Sequence, residues 1–490
     1  MLFSTAKGTA VQVLNRVIHA FSLASGIELN LNKSALVTFN LSAQQVEAVQ
    51  TTLQVVTSSL PLTYLGLPLT IRRPDRLVFQ NLIDKIQAKL AGWKSSLLSR
   101  AGRLVLATSV LSTVPIYFMS VFKLPAWVTK SLDRIRRNFI WGSSNNTGKA
   151  LHLLSWDRVC LSKALGGFGV QDLRLQNVSL LLRWWWRLYQ DSNSLWSKLA
   201  SNFFGKRDTN LPPLAWNKNG SFFWSDLMSI RIFFQISTAS IIGSGLNSSF
   251  WYSNWGASFL FFFNSTLKPP LKRNISLRSA LQEYHTLLPA PLTAQQNFSI
   301  EEARMLSFTA QPDRLVWRWT THGNYTAASA YKNFICAGKT DSKLSFIWKI
   351  KVPPSLKLFL ILLAHGRILT QDQLVKRSIH CSQGCVLCNH TECETASHLF
   401  FNCAYSDRLW QTLGVQMSAT RANAAFCLQD KLLAIFKPVS LQQGKMVLIA
   451  TTLWGIWLER NNRTFRQQSR RLGAIQQWII SESTLFMKYC

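Results

Sequence analysis

Apolar residues at Val11, Val13, Leu14, Val17, Ile18 and Phe21 recur at helical spacing. Ser25-Gly26 ends the helix they predict, because glycine supplies a left-handed cap. Ile27 to Ser34 alternates apolar and polar positions like a short strand, and Leu62 to Leu69 reads as a compact strand-and-turn element around Gly66. From Pro74-Asp75 the period is helical again. Leu82, Ile86, Leu90 and Trp93 form one apolar stripe, with Lys85 and Lys89 on another face. Further helices are predicted around Leu97–Val114 and Val128–Phe139. Ser143 to Gly148 is a polar loop, and Gly166-Gly167-Phe168-Gly169 a tight turn that lacks the spacing of a phosphate loop. Trp184-Trp185-Trp186, flanked by Arg183 and Arg187, reads as the core side of an amphipathic helix rather than a base-stacking platform. Residues 200–340, with breaks at Pro212-Pro213, Pro269-Pro270 and Pro289 to Pro291, predict a loosely structured connector with short helices. Helical pattern returns at Phe346 to Lys349 and from Met446 through Phe465. The fold class expected is mainly α with a small β remnant near the N-terminus.

Composition changes this picture in two ways. At 490 residues, 48% of them hydrophobic, the chain is long enough for two to four units. It carries 54 Lys+Arg against 22 Asp+Glu, a net charge of +32, which implies a polyanionic partner, nucleic acid before an anionic membrane. The surplus is concentrated in residues 72–137, with thirteen Lys/Arg against Asp75, Asp84 and Asp133. Lys85, Lys89, Lys94, Arg100, Arg103, Arg134 and Arg137 are the candidates for contacts to a nucleic-acid backbone; an ordinary solvated helix face is the plainer alternative. The longest uncharged apolar run, Leu104 to Phe122, approaches a membrane span in length. Pro115 and the polar Thr108, Ser109, Ser112 and Thr113 interrupt it, so it reads as a buried helix breaking at Pro115, and no membrane partner is expected. The first 27 residues lack acids and carry Lys7 and Arg16, a faint transit-peptide signature.

The chemistry is concentrated between Cys381 and Cys403, where five of the nine cysteines fall. Cys385-x-x-Cys388 is followed by His398-x-x-x-x-Cys403. A C-x-x-C turn places two thiolates about 3.5 Å apart, and a second pair closes a tetrahedral zinc shell with no open position, so the zinc is structural. Cys381, His390 and Cys393 are rival ligands by spacing alone. Buried free cysteines are the plainer alternative, and a disulfide framework is disfavoured because the remaining cysteines are scattered.

In their order along the chain, these pieces resemble the C-terminal half of a plant LINE-type (non-LTR retrotransposon) reverse transcriptase. Ser25-Gly-Ile-Glu-Leu-Asn with Lys33-Ser34 is similar to the family's palm, and Tyr64-Leu-Gly66-x-Pro68-Leu69 to its primer-grip hairpin. Gly92-Trp93-Lys94 through Gly102-Arg103 resembles the start of the helical thumb, continued by Phe139-Ile140-Trp141-Gly142, Trp156 and Gly166 to Val170. Phe250 to Trp255, Asp313-x-x-x-Trp317 and Gly323-x-Tyr325-Thr326 resemble the connector. Phe346-x-Trp348, Val352-Pro353-Pro354 and Lys357 lead into the zinc-binding domain, and Trp454-Gly-Ile-Trp457-x-Glu459-Arg460-Asn461-x-Arg463 resembles the tail. The resemblance implies that Cys385, Cys388, His398 and Cys403 hold the zinc, and it accounts for residues 1–34 as palm rather than transit peptide. It implies domains at 1–70 (residual palm), 71–200 (helical thumb), 201–340 (connector), 341–425 (zinc-binding domain) and 426–490 (basic helical tail).

One departure bears on activity. Polymerase chemistry needs carboxylates converging on two metals. In the family, two of them form an Asp-Asp pair just before the residues matching Met1-Leu-Phe-Ser, and no Asp-Asp pair occurs in this sequence. The expectation is a truncated, non-catalytic reverse transcriptase fragment that binds RNA or DNA in the nucleus through basic helices and a structural zinc module. One alternative is part of an active polymerase whose aspartates lie upstream of this sequence. Another is a protein-interaction module, on which residues 346–410, with seven Lys/Arg against four acids, decide little. An unexpressed relic is the last.

Overall fold

The computed structural model describes residues 2–93, 97–142, 151–191, 193–204, 220–250, 253–255, 276–287, 305–337, 343–380, 384–389, 391–415, 427–439 and 442–490. Among the described residues the chain is mainly helical, with two small sheets, and it divides into two units at Asn81/Leu82. No helix among the described residues is long and apolar enough to cross a membrane.

In the first unit, α1 (Gly8–Ser25) stops where the sequence says it should: Gly26 takes φ +68° and its amide bonds back to Ser22 O. It packs on α2 (Ala43–Leu53), which starts in a reciprocal Ser42–Gln45 capping box. The strand expected over Ile27–Ser34 is absent. Asn30 Oδ1 instead accepts from the Lys33 amide and winds Leu31–Lys33 into a single 3₁₀ turn. A short polar side chain capping its own backbone here overrides the alternating pattern. The second expectation holds: β1 (Leu62–Tyr64) and β2 (Leu67–Leu69) form an antiparallel hairpin, Leu62 opposite Leu69, around Gly66 at φ +81°.

Helix α3 (Arg76–Ala91) runs into the second unit, burying Leu82, Ile83 and Ile86 and leaving Lys85 and Lys89 exposed. The apolar run after it buries one face, leaving Val105 and Tyr117 exposed, and breaks earlier than Pro115. Helix α4 (Arg100–Leu106) widens over Ala107–Leu111, where the Ser112 amide and hydroxyl both donate to Ala107 O at 3.1 and 2.8 Å. A serine reaching five residues back relaxes the helix a turn before the proline ends it. Helix α5 (Ala126–Trp141) ends on Gly142 at φ +83°, and a Cβ there would lie 2.2 Å from Arg103 Nη1. Phe-Ile-Trp-Gly therefore needs its glycine for the left-handed cap.

Helix α6 (Leu173–Gln190), capped by Asp172, carries the tryptophan triplet. Trp185 and Trp186 face a core with Trp224 and Phe234 of α7 (Phe222–Ser237), and Trp185 Nε1 donates to Leu227 O at 3.0 Å. The described parts of the connector hold regular structure. β3 (Thr238–Ile241) pairs antiparallel with β4 (Arg314–Trp317), delivering Trp317 to the same core, and α8 (Ala327–Cys336) packs on α6. Asp313 accepts from the amides of Gly243, Gly245 and Asn247 at 2.7–2.9 Å. Burial raises its carboxyl, but these amides and the Ser248 hydroxyl outweigh that and hold it below the ordinary range. The expected polar loop at Ser143–Gly148 and the three proline breaks lie outside the described residues.

The remaining helices surround α9 (Pro354–Ala364), whose side chains are buried nearly all round. Against it pack α4, α11 (Leu428–Phe436) and α12 (Gln443–Asn461), while α10 (Ala404–Thr412) and α12 both meet α13 (Leu472–Tyr489). The Gly166–Gly169 turn reaches the same region: Lys163 Nζ lies 4.8 Å over the Trp348 ring, and Gly166 sits against Leu344.

Candidate metal centre

Four ligand atoms converge. The sulfurs of Cys385, Cys388 and Cys403 and a ring nitrogen of His398 all lie within 4.8 Å of one another. Two local devices bring them there. After Gly384, at φ +92°, the chain turns through Cys385-Val-Leu-Cys388, and Asn389, at φ +59°, donates its amide to Cys385 O at 2.8 Å. The second pair straddles a wide turn, in which the Cys403 amide donates to His398 O at 2.7 Å. That five-residue reach is what H-x-x-x-x-C spacing needs to place imidazole and thiol on the same side. Cys403 also caps α10, with the amides of Tyr405 and Ser406 pointing at its sulfur.

The donor set suits zinc. Cys385 and Cys403 Sγ are 3.9 Å apart, and Cys388 Sγ lies 3.3 Å from His398 Nε2. Edges of a tetrahedral shell with S and N ligands are about 3.5–3.8 Å, so the four atoms need only small adjustments. Cys385 and Cys403 are buried, Cys388 and His398 half-buried. Hydrogen bonding from Cys385 holds the Cys403 thiol well below its ordinary range, helped by the helix-start amides, and pushes Cys385 up. Of the rival ligands, Cys393 is exposed and outside the cluster, while Cys381 and His390 lie outside the described residues.

A shell of polar side chains holds the two turns together. Buried Gln371 accepts at Oε1 from the amides of Gly384 (3.1 Å) and Glu394 (2.9 Å), and donates from Nε2 to Gly384 O (2.6 Å). Glu394, buried between the ligand pairs, is bound by Arg460 of α12. Arg463 lies 4.8 Å over the Tyr405 ring, reaches Val386 O at 3.5 Å and donates to buried Glu459 at 2.8 Å. The tail motif is thus the back wall of the cysteine cluster. Sequence reasoning grouped Glu459, Arg460 and Arg463 by order alone; the signal it lacked was a carboxylate, Glu394, between two ligand pairs.

The proposed nucleic-acid contacts divide into two groups. Lys85, Lys89, Arg100 and Arg134 are exposed. Arg103 is half-buried against Gly142, and Arg137 half-buried 5.4 Å over Trp156, which Arg136 caps from 5.2 Å. Lys94 lies outside the described residues. Although Arg100 as a whole is exposed, its guanidinium is partly covered, and that desolvation, with the neighbouring Arg103 charge, lowers its pKa.

Comparison with known proteins agrees with this geometry. Residues 325–410 match the family described as zinc-binding in reverse transcriptase. The chain is similar to an Arabidopsis thaliana protein named "Putative ribonuclease H protein", 24% identical over 438 residues that cover 84% of this chain and 69% of that one. It is also similar to an uncharacterized mitochondrial protein of Arabidopsis thaliana, 27% identical over 160 residues, 32% of this chain and 98% of that protein. Residues 325–410, which contain all four converging side chains, thus match a zinc-binding domain of reverse transcriptases.

Proposed function

We propose that this chain is a LINE-type reverse transcriptase segment that binds RNA or DNA, holds one structural zinc on Cys385, Cys388, His398 and Cys403, and has no polymerase activity of its own. The convergence of those four side chains carries the zinc reading: three thiols and an imidazole within 4.8 Å form a closed shell that leaves no ligand position for catalysis. Nucleic-acid binding is supported by the net charge of +32 and by four exposed cations, Lys85, Lys89, Arg100 and Arg134, on helices of one unit. The lack of an Asp-Asp pair supports the non-catalytic part. The nucleus is the compartment this reading calls for, and fractionation of the tagged chain checks it. Fluorescence anisotropy of the full chain with labelled RNA and DNA is the test of binding. Affinity should fall about 10²- to 10³-fold between about 50 and 200 mM salt, as displaced counterions require. A salt-independent affinity overturns nucleic-acid binding, and primer extension by the chain alone overturns the non-catalytic reading.

A further inference from the structure

A cleft of about 510 Å³ opens where the start of α4 meets α9 and the end of α12, all within the second unit. Its size falls in the range of small-ligand sites. One wall is aromatic: Phe359 meets Trp454 edge-on at 5.0 Å and stacks on Trp457 at 6.2 Å, and Phe465 stands at the lip, 71% exposed. Among the described residues lining the cleft, none carries a carboxylate. Arg460 on its wall is already neutralised by buried Glu394. Arg100, which also lines the cleft and lies near Arg103, is exposed and is the charge left for an incoming group. Ser99, Ser355 and Asn461 add polar atoms to the wall.

An apolar slot needs no cation to take an aliphatic side chain, and a cation needs no aromatic wall to take a free phosphate. Together they fit a planar π-system joined to an anion, which is a nucleotide. Phe465 has the Arg460 guanidinium 6.0 Å from its ring yet stays largely exposed, and an exposed aromatic so placed is useful for stacking an unpaired base. We propose that this cleft captures one or two unpaired nucleotides of a single strand, a base seated against Phe465 and the Trp454–Trp457 wall and its phosphate on Arg100. This rests on the nucleic-acid reading above and deepens it: the second unit selects unpaired strand rather than duplex.

The test uses the full chain with two labelled oligonucleotides of equal length and charge, an oligothymidylate and its fully abasic counterpart. The base-bearing strand should bind about tenfold tighter, the worth of one or two stacked bases. Phe465→Ala should erase that ratio and leave abasic binding unchanged, since Phe465 is a surface residue. Arg100→Gln should weaken both strands and lower the salt slope by about one. Equal affinity for the two strands, or a ratio that survives Phe465→Ala, overturns the cleft proposal while leaving backbone binding intact; the first result is also what a cleft built for an apolar peptide would give. Failure of both strands to bind overturns the nucleic-acid reading itself, and the cleft proposal with it.

Discussion

Glu394 and Arg460, 66 residues apart, form a buried ion pair in which the guanidinium reaches the carboxylate at 2.9 Å from Nη2 and 3.0 Å from Nε. Neither side chain is more than 3% exposed. The pair ties the segment between Cys388 and His398 to the end of α12. Breaking one side leaves an uncompensated charge in the interior, so Arg460→Met should cost about 3–5 kcal/mol, read as a shift of the denaturant midpoint. Replacing both residues by methionine should recover much of the loss. A single substitution as mild as the double one would show that the carboxylate finds another partner.

The same clamp makes metal binding depend on residues far from the ligands. The full chain should bind about one zinc, and Cys388→Ser should lose it. A chelator should lower the melting temperature of the wild type but not of that variant, since only a bound ion adds stability to the folded state. A segment over residues 343–415 contains all four ligands but lacks Arg460 and Arg463. Its zinc affinity should fall about 10- to 100-fold below that of residues 343–490, the usual cost of losing supporting groups around a site. Competition with a chromogenic chelator measures both.

Cys160 gives a prediction of opposite character. Burial pushes its thiol up to about 12 from an ordinary 9.0, so it keeps its proton in the folded chain. A raised folded value means its contribution is fully present below the unfolded pKa and lost as pH rises from about 9 toward 12. Cys160→Ala should therefore flatten the alkaline limb of the stability curve. In native protein near pH 8, exposed Cys427 and Cys490 should alkylate while Cys160 stays protected, with peptide mass spectrometry as the readout.

Much of this was legible because local chemistry set it. Gly26 and Gly142 end their helices by left-handed caps, and the C-x-x-C and H-x-x-x-x-C spacings match two turns that each position a pair of side chains. What was not legible depends on distant partners. Ile27–Ser34 alternates like a strand, but with no neighbouring strand to pair, the Asn30 cap decides its shape. The connector looked irregular because Asp313 orders the Gly243–Asn247 loop and Trp317 completes a core that reaches back to Leu181 and Trp185 of α6. Arg460 looked like one more basic tail residue until Glu394 was placed beside it.

Arg134 and Arg136, two positions apart on α5, put charge reading from sequence to a sharp test. Both count equally toward the local surplus, yet Arg134 is exposed and Arg136 is 1% exposed. Arg136 bonds Asp133, donates to Ser112 Oγ and Gln171 O at 2.9 Å each, and lies over Trp156. Burial raises the Asp133 carboxyl, and the Arg136 charge opposes that shift, so removing the arginine strands a carboxylate. Arg136→Gln should cost about 3–5 kcal/mol of stability. Arg134→Gln should leave stability within about 0.5 kcal/mol and lower the slope of log affinity against log salt by about one. Thermal unfolding and salt-titrated anisotropy on the two variants separate the roles. If Arg134→Gln leaves the salt slope untouched, this face of α5 is solvated surface, and the phosphate contacts lie on Lys85, Lys89 and Arg100.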